Sequence, residues 1–149
     1  INKQIFKLNH STIFLHKVFK IFTQLLFMKI YLGHSTAFDY KKELYLVFLN
    51  SELTKQHEII LPHKNSNDPY NSKELLPTCD LMIAEVSYPS TGLGIELGWA
   101  SYNQIPILCI HKTDSKVSRS LKTISSNFLE YSSSDELISK LKEKINSMK

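Results

Sequence analysis

The stretch LMIAEVSYPSTGLGIELGWA, residues 81–100, decides how the chain folds. Its opening run is apolar and continuous apart from Glu85, the pattern of a strand covered on both faces rather than one. Pro89, Ser90 and Thr91 then form a turn, and from about Gly92 to Asn103 the spacing predicts a helix. Working outward, four more short apolar runs recur: Lys29–Leu32, Glu58–Leu61, Ile107–Ile110 and Phe128–Tyr131. The intervals between them leave room for helices. Asp39–Leu53 places Leu44, Val47 and Phe48 on one face. Ser72–Leu76 reads as a shorter turn that Asn71 or Ser72 can cap. Ser115–Ile124 and Ser134–Met148 complete the set, the last with Asp135 and Glu136 at its start and lysines towards its end, as the helix dipole favours. Strand and helix in alternation predict a five-stranded parallel sheet wrapped on both sides, a three-layer α/β sandwich.

In such a sheet ligands bind beyond the carboxyl ends of the strands. That rule singles out the loops Gly33–Phe38, Pro62–Tyr70, Ser87–Thr91 and His111–Ser118, of which Lys64–Tyr70 is the most polar. Composition narrows the field further. With 149 residues, 42% hydrophobic and 21% charged, the chain suits one globular domain. The net charge of +4 comes entirely from Lys3, Lys7, Lys17 and Lys20, which precede any acidic residue. Residues 28–149 are balanced at 14 basic and 14 acidic side chains, with no basic stripe, which disfavours nucleic acid as a partner. Residues 1–27 form an acid-free, partly apolar segment interrupted by Lys17, Lys20 and Gln24, too broken for a membrane span. We expect an extension outside the working domain of residues 28–149; a targeting segment or an extra helix are the other readings. No membrane contact is expected of residues 28–149. Cys79 and Cys109 sit in apolar runs without metal-binding or redox spacing, as buried thiols of a cytoplasmic protein would. No histidine pair has ligand spacing, and no cofactor or metal is expected.

Glycine is scarce and its placement informative. The four glycines are Gly33, at the end of the first strand, and Gly92, Gly94 and Gly98, clustered after the third. Pro89-Ser-Thr-Gly92 between strand and helix offers free amide hydrogens and hydroxyls at a helix N-terminus, an anion cradle. The spacing fits neither a Walker loop nor a dinucleotide fingerprint. Glu96, expected near the first turn of that helix, can serve as an ionised nucleophile or simply as a favourable charge at the helix start. Glu85 within an apolar strand needs a partner, an ion pair or a strand-end hydrogen bond. Trp99 suits the core or a subunit interface, and Lys112 and Lys116 a solvated rim. His34, in a loop at a strand's carboxyl end, has a stronger claim to a role in the site.

The segment Cys79–Ala100 resembles the nucleoside 2-deoxyribosyltransferase superfamily, in particular its 2′-deoxynucleoside 5′-monophosphate N-glycosidases. A "STGLGIELG" core after a strand ending in "AEVS" carries the likeness, which extends from Met28 to about Tyr131. The resemblance implies a flavodoxin-like (Rossmann-like) fold and cleavage of the N-glycosidic bond of 2′-deoxynucleosides or their 5′-monophosphates through a covalent glutamyl intermediate. By that likeness Glu96 is the nucleophile, Tyr31 lies near base and sugar, and Ser90 holds a 5′-phosphate. Ser120 is a second phosphate serine, which in the family crosses a dimer interface, so a homodimer or higher homo-oligomer is implied. Two positions depart from the pattern. Ser72 stands where the family has an aspartate, and the loop after the first strand, Gly33-His-Ser-Thr-Ala-Phe38, lacks its arginine. A serine cannot act as a general acid at neutral pH; His34, His63, Asp39 or Glu74 are the other sources of a proton.

The candidate catalytic side chains are therefore Glu96, His34 and Ser72. The candidate substrate-binding residues are Tyr31, Gly33, Ser35, Ser90, Thr91, Gly92, Gly94 and Ser120. The expected partner is a small-molecule nucleoside or nucleotide. Two other readings remain on the sequence: a nucleotide-binding or sensor module of the same fold that has lost catalysis, favoured by Ser72, and an enzyme acting on another N-ribosyl nucleotide.

Overall fold

The computed structural model describes residues 10–65 and 70–148. The middle of the expected polar loop Lys64–Tyr70 lies outside the described residues. The first element is helix α1 (His10–Leu26), followed by strand β1 (Lys29–His34). A π-helical turn (Lys41–Tyr45) runs into α2 (Leu46–Leu49), then come α3 (Leu53–Gln56) and β2 (Glu58–Ile60). Next are α4 (Ser72–Leu75) with a 3₁₀ turn (Leu76–Thr78), β3 (Leu81–Glu85), α5 (Thr91–Tyr102) and β4 (Ile107–Lys112). A 3₁₀ segment (Arg119–Thr123), β5 (Asn127–Tyr131) and α6 (Ser134–Ser147) complete the chain.

All strand pairs are parallel, in the order β2-β1-β3-β4-β5. This is the flavodoxin-like order, and its switch point lies between β1 and β3. Both faces of the sheet are apolar, as the unbroken hydrophobic runs require. Ile30, Leu32, Leu81, Ile83, Leu108 and Ile110 turn to one face, where Leu44, Phe48, Leu53, Leu137, Leu141 and Ile145 cover them. Tyr31, Met82, Ala84, Ile107 and Cys109 turn to the other, under Leu93, Leu97 and Ala100 of α5 and Leu76. The strict alternation along each strand is the pleat itself. Cys79 and Cys109 are free, buried thiols.

Two helices differ from the sequence expectation. The Asp39–Leu53 helix begins as a π turn and stops at Leu49, because Asn50 and Ser51 redirect the chain. The Ser51 hydroxyl donates to the Phe48 carbonyl and accepts from the Leu53 amide, ending one helix and starting the next. Ser115–Ile124 is not an α-helix; only Arg119–Thr123 turns, as 3₁₀. Local bonds compete there, from the Ser115 hydroxyl to the Lys112 carbonyl and from Thr123 to the Ser120 carbonyl. Its few apolar residues, Val117, Leu121 and Ile124, pack beside α5 without needing a full helix.

Ile13, Phe14, Leu15, Val18, Phe19 and Ile21 of α1 all remain exposed. No described helix is long and apolar enough to cross a membrane.

Candidate active site

Two side chains of opposite parity on β1 lead into different surroundings. Tyr31 and Gly33 face the α5 layer, whereas Leu32 and His34 face the layer of α2 and α6. On the α5 side, three oxygens meet at the carboxyl end of the sheet. The Tyr31 hydroxyl donates to Glu96 Oε1 at 2.7 Å, and the Ser72 hydroxyl donates to the same atom at 2.7 Å. The two hydroxyl oxygens are themselves 2.7 Å apart. Burial, and then the charge of Glu96, push the Tyr31 phenol well above its usual range. It is therefore a fixed hydrogen-bond donor and not an acid.

Glu96 sits in the second turn of α5, one turn further in than the sequence reading places it, since no acidic residue occupies the first turn. Hydroxyl groups rather than the helix end hold it. Its other oxygen, Oε2, lies against Gly33, where a Cβ would come within 3.3 Å of it, 3.1 Å of Leu93 Cδ1 and 2.6 Å of Met82 Cε. Gly33 has no positive φ. Space for Met82, Leu93 and the carboxylate, not backbone conformation, demands glycine there. Glu96 is half-buried, with Oε1 tied by the two hydroxyls.

A second group forms at the other flank of α5. Ser90 caps the helix, its hydroxyl accepting from the Leu93 amide at 3.5 Å. Ser90, Gly94, Ser118 and Ser120 line a cavity of about 400 Å³ between α5 and the 3₁₀ segment, with Leu93 and Leu121 among its apolar walls. Ser90 and Ser120 thus share one cavity within a single chain. Thr91 and Gly92 are exposed at the start of α5, outside that lining. Gly94 and Gly98 have open space where a side chain would stand.

His34 belongs to neither group. Its Nδ1–H donates to the Ser35 carbonyl at 2.9 Å, which leaves Nε2 to accept from the Tyr45 hydroxyl at 2.6 Å. The ring stacks on Tyr40 at 4.2 Å and meets Tyr45 and His63 edge-on. Ser35 is buried, and its hydroxyl accepts from the Ala37 amide, tightening the same loop. Burial lowers the His34 pKa from 6.5 to about 4. The unfolded chain therefore binds more protons between those values, and stability is lost as pH falls from about 6.5 towards 4. One histidine shifted that far contributes roughly 3 kcal/mol. Urea unfolding at pH 7.5 and pH 4.5 should show the loss, and His34→Phe should flatten the slope. An unchanged slope in that variant would assign the pH dependence elsewhere.

Sequence reasoning missed one feature of the rim. The Lys112 ammonium pairs with Glu43 at 2.6 Å and lies 5.5 Å from the Phe38 ring centroid and 5.3 Å from that of Tyr88. Those two rings stack at 4.8 Å, so the loops after β1 and β3 are clasped together under one cation. An aromatic residue in each loop was the available signal. Glu85 is fully buried on the His34 face, and Oε1 accepts from the Ser87 and Tyr131 hydroxyls. Its Oε2 has no partner among the described residues. Burial pushes this carboxyl above its usual range. Among the described residues no ion pair holds it, so strand-end hydrogen bonding is the reading that survives. Among the described residues, no cluster of three His, Cys, Asp or Glu side chains could hold a metal ion.

No protein-family model matches the chain. Three curated archaeal proteins do, each named "Putative 2′-deoxynucleoside 5′-phosphate N-hydrolase 1". Identity is 50% over 44 residues with that of Methanosarcina mazei, 48% over 44 with that of Methanosarcina barkeri, and 34% over 80 with that of Methanococcoides burtonii. The aligned segments cover 30%, 30% and 45% of this chain, and 27%, 28% and 66% of those relatives. Among solved structures, the Clostridium botulinum CMP N-glycosidase BcmB superposes with a TM-score of 0.59 at 25% identity, covering 78% of this chain and 98% of that one. A conserved protein of Enterococcus faecalis shares the fold, with a TM-score of 0.53 at 18% identity over 79% of this chain and 99% of that one. Sequence matches, strand order and superposition agree: the chain has the flavodoxin-like fold of, and is similar in sequence to, proteins of the nucleoside 2-deoxyribosyltransferase-like superfamily.

Proposed function

We propose that this chain is an N-glycosidase of 2′-deoxynucleoside 5′-monophosphates, with Glu96 as the nucleophile that attacks C1′. One observation carries the reading. A carboxylate at the sheet's switch point has one oxygen fixed by two hydroxyl donors and the other packed close to Gly33. A carboxylate held in this way is pre-oriented for displacement and need not reorganise to reach the sugar. A retaining route then proceeds through a glycosyl ester that water opens. The names of the archaeal relatives and of the botulinum enzyme support a nucleotide substrate. The cavity beside Ser90 and Ser120, next to the start of α5, supports a place for the 5′-phosphate.

Incubation with the four deoxynucleoside 5′-monophosphates, followed by chromatography for free base and deoxyribose 5-phosphate, tests this directly. Absence of base release from all four, at micromolar enzyme over hours, would overturn the assignment. The second reading, a module that binds nucleotide without turnover, is favoured by one feature, the hydroxyl of Ser72 beside Glu96. Thermal stabilisation by nucleotide without any product would favour it.

A further inference from the structure

Helix α1 carries large apolar side chains that nothing in the described chain covers. Phe14, Leu15 and Phe19 are 69%, 67% and 67% exposed, and Val18 and Ile21 are also open to solvent. Single exposed apolar residues are ordinary on a protein surface, but a contiguous group of them marks a contact. At about 100° per residue these five fall within an arc of about 160°. His16 and Lys17, both exposed, lie outside that arc, as does one apolar residue, Ile13. Charge indicates what the contact is made with. Residues 1–27 hold Lys3, Lys7, Lys17 and Lys20 with no acidic side chain, and account for the whole net charge of +4. A second copy of the same helix would bring like charges together, and residues 28–149 have no acidic excess to attract it. An anionic bilayer offers an apolar layer for the rings and a negative surface for the lysines.

We propose that α1 is an interfacial anchor that lies in the surface of an anionic bilayer, with Phe14, Leu15, Val18, Phe19 and Ile21 among the acyl chains and Lys17 at the headgroups. The helix rests on the membrane and does not span it, since no described helix is long and apolar enough to cross. Apolar burial and attraction to the headgroups act together, so losing either weakens binding. The helix enters the domain at the amino end of β1, where the Met28 amide donates to His57 Nδ1 at 3.2 Å. Glu96 stands at the carboxyl end of the same sheet, bonded to Tyr31. Attachment through α1 is therefore not attachment through the candidate site.

The test is flotation of the full chain with vesicles of phosphatidylcholine alone or with about one third phosphatidylserine. The fraction carried by the anionic vesicles should exceed that carried by the neutral ones by about fivefold or more at low ionic strength, and should fall several-fold in about 0.5 M salt. Phe14→Glu combined with Phe19→Glu should abolish flotation. Lys17→Glu should weaken it about fivefold or more, and Lys17→Arg should not. Thermal midpoints should stay unchanged in all of these variants, because the altered side chains are exposed. Absence of flotation with anionic vesicles would overturn the inference, as would equal flotation with both kinds that salt and Lys17→Glu leave untouched. Self-association that Phe14→Glu with Phe19→Glu abolishes, without any flotation, would also overturn it and give the face to a second copy of the chain.

Discussion

Glu96→Gln keeps the fold and the capacity to bind nucleotide but loses turnover by at least about 10³-fold. The amide is isosteric, and its oxygen can still accept from Tyr31 and Ser72, which hold Oε1 at 2.7 Å. Packing under α5 is therefore preserved, and only the charge and nucleophilicity of the second oxygen disappear. The relevant comparison is base release against the thermal midpoint measured with and without nucleotide. Full activity in a correctly folded Glu96→Gln protein would remove Glu96 from the nucleophile's role. Loss of activity accompanied by loss of folding would be uninformative, which is why the amide is preferable to alanine.

Gly33→Ala should damage the same site from behind. The new methyl would stand 2.6 Å from Met82 Cε, 3.1 Å from Leu93 Cδ1 and 3.3 Å from Glu96 Oε2. The end of a methionine side chain can swing aside; Leu93, buried in α5, and a carboxylate tied by two hydroxyls cannot do so as cheaply. We expect a stability loss of about 1 to 3 kcal/mol, as for overpacked cores, and a fall in kcat/KM of about 10²-fold. Met82→Leu added to Gly33→Ala removes the nearest clash and should recover much of the stability. It should not recover turnover, because the contact with Oε2 remains. Recovery of both would mean that the glycine serves packing alone.

The sheet was legible because parallel strands covered on both faces leave unbroken apolar runs, and each of the five runs became a strand. The helices with strong end signals were equally clear. Ser90 and Ser133 cap α5 and α6 through the Leu93 and Glu136 amides. Segments rich in serine and threonine were not, because their hydroxyls satisfy nearby backbone groups and make a short 3₁₀ turn as good a solution as a helix. Within the site, Tyr31, Gly33, Ser72 and Glu96 lie together. His34 does not join them, and the reason was present in the sequence: it lies an odd number of residues from Tyr31, so the pleat sends it to the other face. The placement of Ser120 beside Ser90 within one chain depended on how residues 113–124 turn, which local pattern did not reveal.

The odd and even residues of β1 divide two tasks between the two halves of the molecule. One half carries the reactive oxygen and its donors. The other carries the buried histidine whose pKa burial holds low and whose protonation we expect to cost stability in acid. The sheet stands between them as a partition, so changes that retune pH resilience and changes that retune chemistry can accumulate separately, each with little penalty for the other.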